Sequence, residues 1–197
     1  MTSQRTRIRR HADRAVLEEA AAILAQGVVA HVGFTQDQQP FVIPFAYSYN
    51  PAVPDRLYLH GAHGSRAMRH LSGGAPVCVT VTLLDGLVYS RTALFHSMNY
   101  RSVVCIGHAR SITQAGEKKR LFEEMTLRYF ADRKAGQDYE APQPAHLRGV
   151  ALIEVQIEEW SAKARRGGPL GPHDADPDAP GSAGVIELRT GMRETAY

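Results

Sequence analysis

Six or seven runs rich in β-branched and aromatic residues, each closed by a turn signal, limit what this chain can fold into more than any other feature. They fall at 28–35, 41–50, 56–60, 76–84, 87–95, 100–112 and 149–157. The run Pro76-Val-Cys-Val-Thr-Val-Thr-Leu-Leu84 has the strongest strand character. Between the runs lie Gln36-Asp-Gln-Gln-Pro40, a loop through Pro51, Pro54 and Asp55, the pair Gly73-Gly74, and Asp85-Gly86. Pro40 and Pro44 put the second run at a sheet edge or a bulge, because proline cannot donate to a ladder. Strands in hairpin order with a few helices between them predict a mainly β, α+β fold. They point to an antiparallel barrel with helical decoration, not to a doubly wound parallel sheet.

Three segments carry helical periodicity. From Asp13 to Gln26 the apolar positions Val16, Leu17, Ala20, Ile23 and Leu24 recur at three and four residues, with Asp13 as cap and Gly27 as stop. A short helix follows Ser65, and a longer one over 116–130 presents Leu121, Phe122, Met125, Leu127 and Tyr129. The 197 residues suffice for one domain with a full core, read as 13–163. Residues 1–12 form a flexible basic arm with four arginines in the first ten, and 164–197 a Gly, Pro and Asp-rich extension ordered only by docking.

Net charge is a mild +3, so the arm is read as a solubilising tail rather than as a nucleic-acid contact. No run reaches the length of a membrane span and the start lacks a signal-peptide core, which places the protein in the cytoplasm. Cys78 and Cys105 sit inside apolar strands as small hydrophobes, without the spacing of a zinc site. His60 and His63 flank a glycine turn but lack a third ligand, so no metal is expected and hydrogen bonding is the better role.

Two segments carry the candidate chemistry, Leu57-Tyr-Leu-His-Gly-Ala-His-Gly-Ser-Arg66 and His96-Ser-Met-Asn-Tyr-Arg-Ser-Val-Val-Cys-Ile-Gly107. In the first, a strand runs through Gly61 and Gly64 into a short helix, where backbone N–H groups, the Ser65 hydroxyl and the Arg66 fork suit a phosphate. In the second, Asn99, Tyr100, Arg101 and Ser102 interrupt an apolar strand, with Tyr100 and Ser102 on one face and Asn99 and Arg101 on the other. Together they suit a phosphorylated, aromatic ligand; the same polar residues would also serve a subunit interface. No GxSxG elbow, Gly-Lys-Ser/Thr phosphate loop or GxGxxG opening a long helix is present.

Pro40-Phe-Val-Ile-Pro44, Leu57-Tyr-Leu-His-Gly-Ala, Ser65-Arg66 with Leu71, and Ser97-Met-Asn-Tyr-Arg-Ser-Val-Val with Gly107 resemble, in order and spacing, the pyridoxamine 5′-phosphate oxidase-like flavoproteins. The resemblance covers roughly Asp13 to Lys163 and is strongest to the nitroimidazole-resistance branch. It implies an FMN-binding split β-barrel that forms a homodimer, with FMN between the subunits. Val42, Ile43, Pro44 and Phe45 would then line the isoalloxazine, and Leu59 and His60 would run beside the flavin. Ser65 and Arg66 match the phosphate positions, Asn99, Tyr100, Arg101 and Ser102 the strand approaching the cofactor, and Trp160 and Lys163 a late segment near the site. The tail Ala164-Arg-Arg-Gly-Gly-Pro lacks the Arg-Leu-His-Asp-Arg pattern of true pyridoxamine phosphate oxidases, so that substrate is not expected. The resemblance implies an FMN-dependent oxidoreductase that passes electrons from NAD(P)H to a small planar acceptor, with His60 on the substrate side. The alternative is a flavin- or haem-binding storage or sensor protein without turnover.

Overall fold

The computed structural model describes residues 4–188, so the far ends of the expected arm (1–3) and of the expected extension (189–197) lie outside the described residues. The chain divides into two compact units. The first comprises Val28–Thr80, Val104–Trp160 and the described residues up to Thr6. The second comprises Arg7–Gly27, Val81–Val103 and the described residues from Ser161 onward.

Seven strands are present: β1 Val29–Gln36, β2 Gln39–Tyr49, β3 Arg56–Ala62, β4 Pro76–Tyr89, β5 Ser97–Ser111, β6 Val150–Arg165 and β7 Gly184–Glu187. Their order is β1-β2-β3-β6-β5-β4-β7. In the first unit β1 also pairs with β4, His31 opposite Thr80 and Gly33 opposite Cys78, which closes the first six strands into a ring. β1 pairs with β2, β2 with β3 and β3 with β6, in each case antiparallel. The expected mainly β, antiparallel architecture is therefore present.

The ring interior follows from period-two alternation. Ala30, Val32, Tyr47, Leu57, Leu59, Val77, Val79, Cys105, Ile153 and Val155 are buried. α3 (Ala115–Tyr129) turns Leu121 and Met125 toward Ile112 and Leu152, with Tyr58 and Phe122 packed against that cluster. Leu127, assigned by periodicity to the apolar face, is exposed. The Tyr129 hydroxyl fixes the end of α3: it accepts from the Tyr47 N–H at 3.1 Å and donates to the Tyr47 carbonyl.

The hairpin between β1 and β2 turns in two residues, Asp37 (φ 51°) and Gln38 (φ 63°). Positive φ at both central residues matches the twist of paired strands. β2 pairs with β1 from Gln39 to Ala46 but with β3 only from Tyr47 to Tyr49, so residues 39–46 form an edge on their other side. Both prolines fall in that edge, as their missing N–H requires.

In the second unit three expectations change. Asp85-Gly86 makes no turn: β4 runs on to Tyr89 because its end pairs with β7, Gly86 opposite Glu187 and Tyr89 opposite Gly184. A Cβ on Gly86 would lie 3.0 Å from the Ile186 carbonyl, so glycine here permits close strand approach. The first helix is α1, Ala20–Gln26 only. Upstream, Ala15 bridges to Lys163 and the Val16 N–H donates to the Ala162 carbonyl at 3.0 Å, which draws the chain into an extended pair instead. Finally, β6 continues eight residues past Ile157, and the extension contributes β7.

Docking holds the stretch between β6 and β7. The Asp174 carboxylate accepts from the Ser90 hydroxyl at 2.9 Å, the Arg91 N–H at 2.8 Å and the Gly171 N–H at 2.6 Å. Arg91 donates in turn to the carbonyls of Ala179 and Gly181. Among the described residues no helix is long and apolar enough to cross a membrane.

Candidate functional site

In the first unit, α2 (Arg66–Ser72) begins after Ser65, whose hydroxyl accepts the Met68 N–H at 3.3 Å. Ser65 is thus the helix cap, and its O–H remains a donor. Gly61 and Gly64 precede this cap. Neither has a left-handed φ; a Cβ on Gly61 would meet Met68 at 3.1 Å, and Gly64 faces open space. The missing side chain at Gly61 therefore gives Met68 of α2 room to pack.

Arg66 is exposed and lies over the Phe41 ring at 4.9 Å, with no ion pair among the described residues. Phe41 stacks on Phe34 at 5.5 Å, and Phe34 stacks on His70 at 5.0 Å. This column joins β1, β2 and α2 and restricts the guanidinium through cation–π contact while leaving its donors unpaired. Phe34 and His70 carry no motif, so only the tertiary packing reveals that they join Phe41 of the Pro40–Pro44 run in this column. Beside Phe41, Val42 is 64 % exposed on the open edge of β2. Pro44 is also exposed there, while Ile43 and Phe45 are half-buried on the other face.

Leu59 is wholly buried, and its backbone lies between Tyr47 and Ile153 in the sheet. It can position its neighbours but has no free surface for a ligand. His60 points to the side of β3 that carries α3 and meets the Phe122 ring edge-on at 5.5 Å. His60 is exposed overall, but partial desolvation on the side facing α3 lowers its pKa from the ordinary histidine value, so the imidazole is mainly neutral at pH 7 and can donate or accept a hydrogen bond.

The first unit also contains a cleft of about 210 Å³ lined by Pro54, Asp55, Ile157, Glu158, Glu159 and Trp160. Arg5 pairs with both Glu158 and Glu159, and His108 with Glu158 at 2.6 Å. Three carboxylates make this cleft unsuited to a phosphate. Among the described residues no group of three or more His, Cys, Asp or Glu is arranged to hold a metal ion.

In the second unit, Arg101 is committed to protein partners: Asp85 at 2.8 and 2.9 Å and the Gln26 side chain at 2.7 Å. The Asp85 hydrogen bond raises its pKa further. Asn99 donates to the Gly167 carbonyl at 3.1 Å and accepts from Arg165. The Ser102 hydroxyl donates to the Lys163 carbonyl at 3.4 Å, and Lys163 Nζ donates to the Arg10 carbonyl at 3.0 Å. Tyr100 is half-buried. The structure thus brings Asn99, Ser102 and Lys163 together with the end of β6, and Arg165 joins them although no motif marks it.

Known proteins bear on this geometry. No match was found among curated proteins. The flavocytochrome Anf3 from Azotobacter vinelandii superposes with a TM-score of 0.82 at 29 % identity, over 99 % of this chain and 89 % of that one. The FAD and haem binding protein from Mycobacterium smegmatis gives 0.78 at 30 % identity, over 93 % and 89 %. A candidate 5-nitroimidazole antibiotic resistance protein from Bacteroides thetaiotaomicron gives 0.62 at 24 % identity, over 76 % and 86 %, a likeness of fold. A sequence model described as Pyridoxamine 5′-phosphate oxidase matches residues 17–164. With that match across most of the chain, and the antiparallel ring that carries it, the protein belongs to the pyridoxamine 5′-phosphate oxidase family.

Proposed function

We propose that this protein binds a flavin nucleotide and is an oxidoreductase that passes electrons from NAD(P)H to a small, flat acceptor. The observation that carries the reading is the pairing, in the first unit, of an ion-pair-free guanidinium at Arg66 with an exposed apolar strand edge at Val42 and Pro44. A flavin nucleotide needs both an anion partner and an apolar surface for its ring. Arg66 and the Ser65 hydroxyl would hold the phosphate, and Val42, Ile43, Pro44 and Phe45 would lie along the ring. FMN is the smallest cofactor these groups account for.

When bound, the flavin supplies the hydride and electron chemistry. The chain's own residues bind and orient. Arg66 neutralises phosphate charge, the Phe41 ring limits its freedom, and the apolar edge excludes water from one face of the cofactor. His60 is mainly neutral at pH 7 and can hydrogen-bond an acceptor. Two copies of the chain would form the working unit, covering the open β2 edge.

Purified protein is expected to be yellow. Arg66→Ala should weaken FMN binding by about 1.5–3 kcal/mol, the scale of a hydrogen bond to a charged group. An unchanged dissociation constant, read by fluorescence quenching, would remove Arg66 from the phosphate site. His60→Ala should leave flavin bound and alter turnover, and light scattering should report a dimer.

A second reading adds haem to flavin. It is favoured by the near-complete matches to a flavocytochrome and to a protein named for FAD and haem, at 29 % and 30 % identity. A Soret band would support it, and flavin bands alone would leave the first reading.

A further inference from the structure

Within the first unit, Arg5 and Thr6 of the N-terminal arm are seated on two neighbouring carboxylates of β6. Arg5 Nε donates to Glu159 Oε1 at 2.9 Å and Nη2 to Glu158 Oε2 at 3.2 Å, so one guanidinium joins both side chains. The Thr6 hydroxyl donates to Glu159 Oε2 at 3.3 Å, and Thr6 is buried. His108 Nδ1 lies 2.6 Å from Glu158 Oε1. All four carboxylate oxygens of the pair are thus engaged, three of them by the arm.

Glu158 and Glu159 also line the cleft that contains Trp160. Its third carboxylate, Asp55, is occupied separately: Arg56 donates to both oxygens at 3.2 Å and Gln156 Nε2 to one at 3.1 Å. The glutamate pair therefore sets the remaining charge of the cleft, and the guanidinium that compensates it comes from the arm.

This seat can be vacated. The Arg5 side chain is 52 % exposed, and those of Glu158 and Glu159 are 36 % and 23 % exposed. Ion pairs in contact with water are individually weak and are screened by salt, so the contact persists through its forked geometry rather than through burial. Within the second unit, Lys163 Nζ holds the Arg10 carbonyl at 3.0 Å, so a released Arg5 would remain tethered to the molecule.

We propose that Arg5 and Thr6 form an autoinhibitory strap. Arg5 occupies the glutamate pair in cis and keeps the cleft closed to other cations, and lifting of the strap leaves an anionic cleft beside an indole. The competitor is an organic cation, because a guanidinium is the group the pair already holds and an indole face attracts positive charge. The contact uses none of the residues proposed above to hold flavin.

Trp160 is the one tryptophan of the chain, so its fluorescence reports on this cleft. In the full chain at constant ionic strength, Arg5→Gln should raise quenching of Trp160 by caesium and lower quenching by iodide, each about twofold, as two carboxylates lose their cation. Arg5→Lys keeps the charge without the fork and should fall between Arg5→Gln and wild type. L-Argininamide, titrated against Trp160 fluorescence, should bind Arg5→Gln about fivefold more tightly than wild type, because apparent affinity rises with the fraction of molecules whose cleft is open. Equal caesium quenching in wild type and Arg5→Gln would overturn the strap, and so would argininamide binding that is absent from both or equal in the two.

Discussion

Glu154 shows how much a single side chain can carry here. It is fully buried on β6, accepts from Arg110 at 2.9 and 3.0 Å and faces Arg56 at 3.6 Å. Arg110→Ala would leave the buried Glu154 carboxylate with only Arg56 at 3.6 Å and should cost about 3–5 kcal/mol, read by chemical denaturation. Gly107 is constrained by space alone. A Cβ there would lie 1.9 Å from the Gln156 carbonyl, so Gly107→Ala must displace a strand and should lower the melting temperature sharply. For His60 the effect is electrostatic: partial desolvation lowers its folded pKa, so the unfolded chain binds the proton more readily. Its contribution is intact above the unfolded value of about 6.5 and is lost as pH falls through the folded one. Replacing His60 with Gln should flatten that part of the stability-versus-pH curve.

At the scale of elements, the docking strap and α3 each depend on one polar residue. Burial pushes the Asp174 carboxyl up, but the Arg91 and Gly171 N–H groups and the Ser90 hydroxyl outweigh it and hold the pKa below its ordinary 3.8. The carboxylate therefore holds the strap above that pH and releases it as pH falls through the lowered value. Asp174→Asn should speed proteolysis between Gly171 and Gly181 at neutral pH, and unchanged cleavage would show that β7 alone retains the segment. For α3, Tyr129→Phe removes both bonds to Tyr47 and should cost about 1–3 kcal/mol, visible as faster amide exchange at Tyr47.

Across the whole molecule, strand existence was legible because alternation and β-propensity are local properties. So were the β1–β2 turn, the edge character of Pro40 and Pro44, and the extent of α3. Asp85-Gly86 was misleading because its partner, β7, lies about a hundred residues later in the chain. The helix expected from Asp13 shortened because the end of β6 captured Ala15 and Val16, a non-local pairing that no periodicity announces. Of the candidate site, Ser65 and Arg66 were readable from their sequence context. The stack of Arg66, Phe41, Phe34 and His70 was not, because its members are far apart in sequence.

The sequence by itself determined the class of fold, the family resemblance and which residue types could meet a phosphorylated aromatic ligand, since these rest on local pattern and side-chain chemistry. Tertiary structure decided which cations are free. It committed Arg101 to Asp85 and Gln26, left Arg66 over Phe41 with no ion pair among the described residues, and buried Arg165 against the neutral acceptors Asn99, Gly167 and Gly168. Charge compensation depends on distance in space and on exclusion of water, and neither is written along the chain.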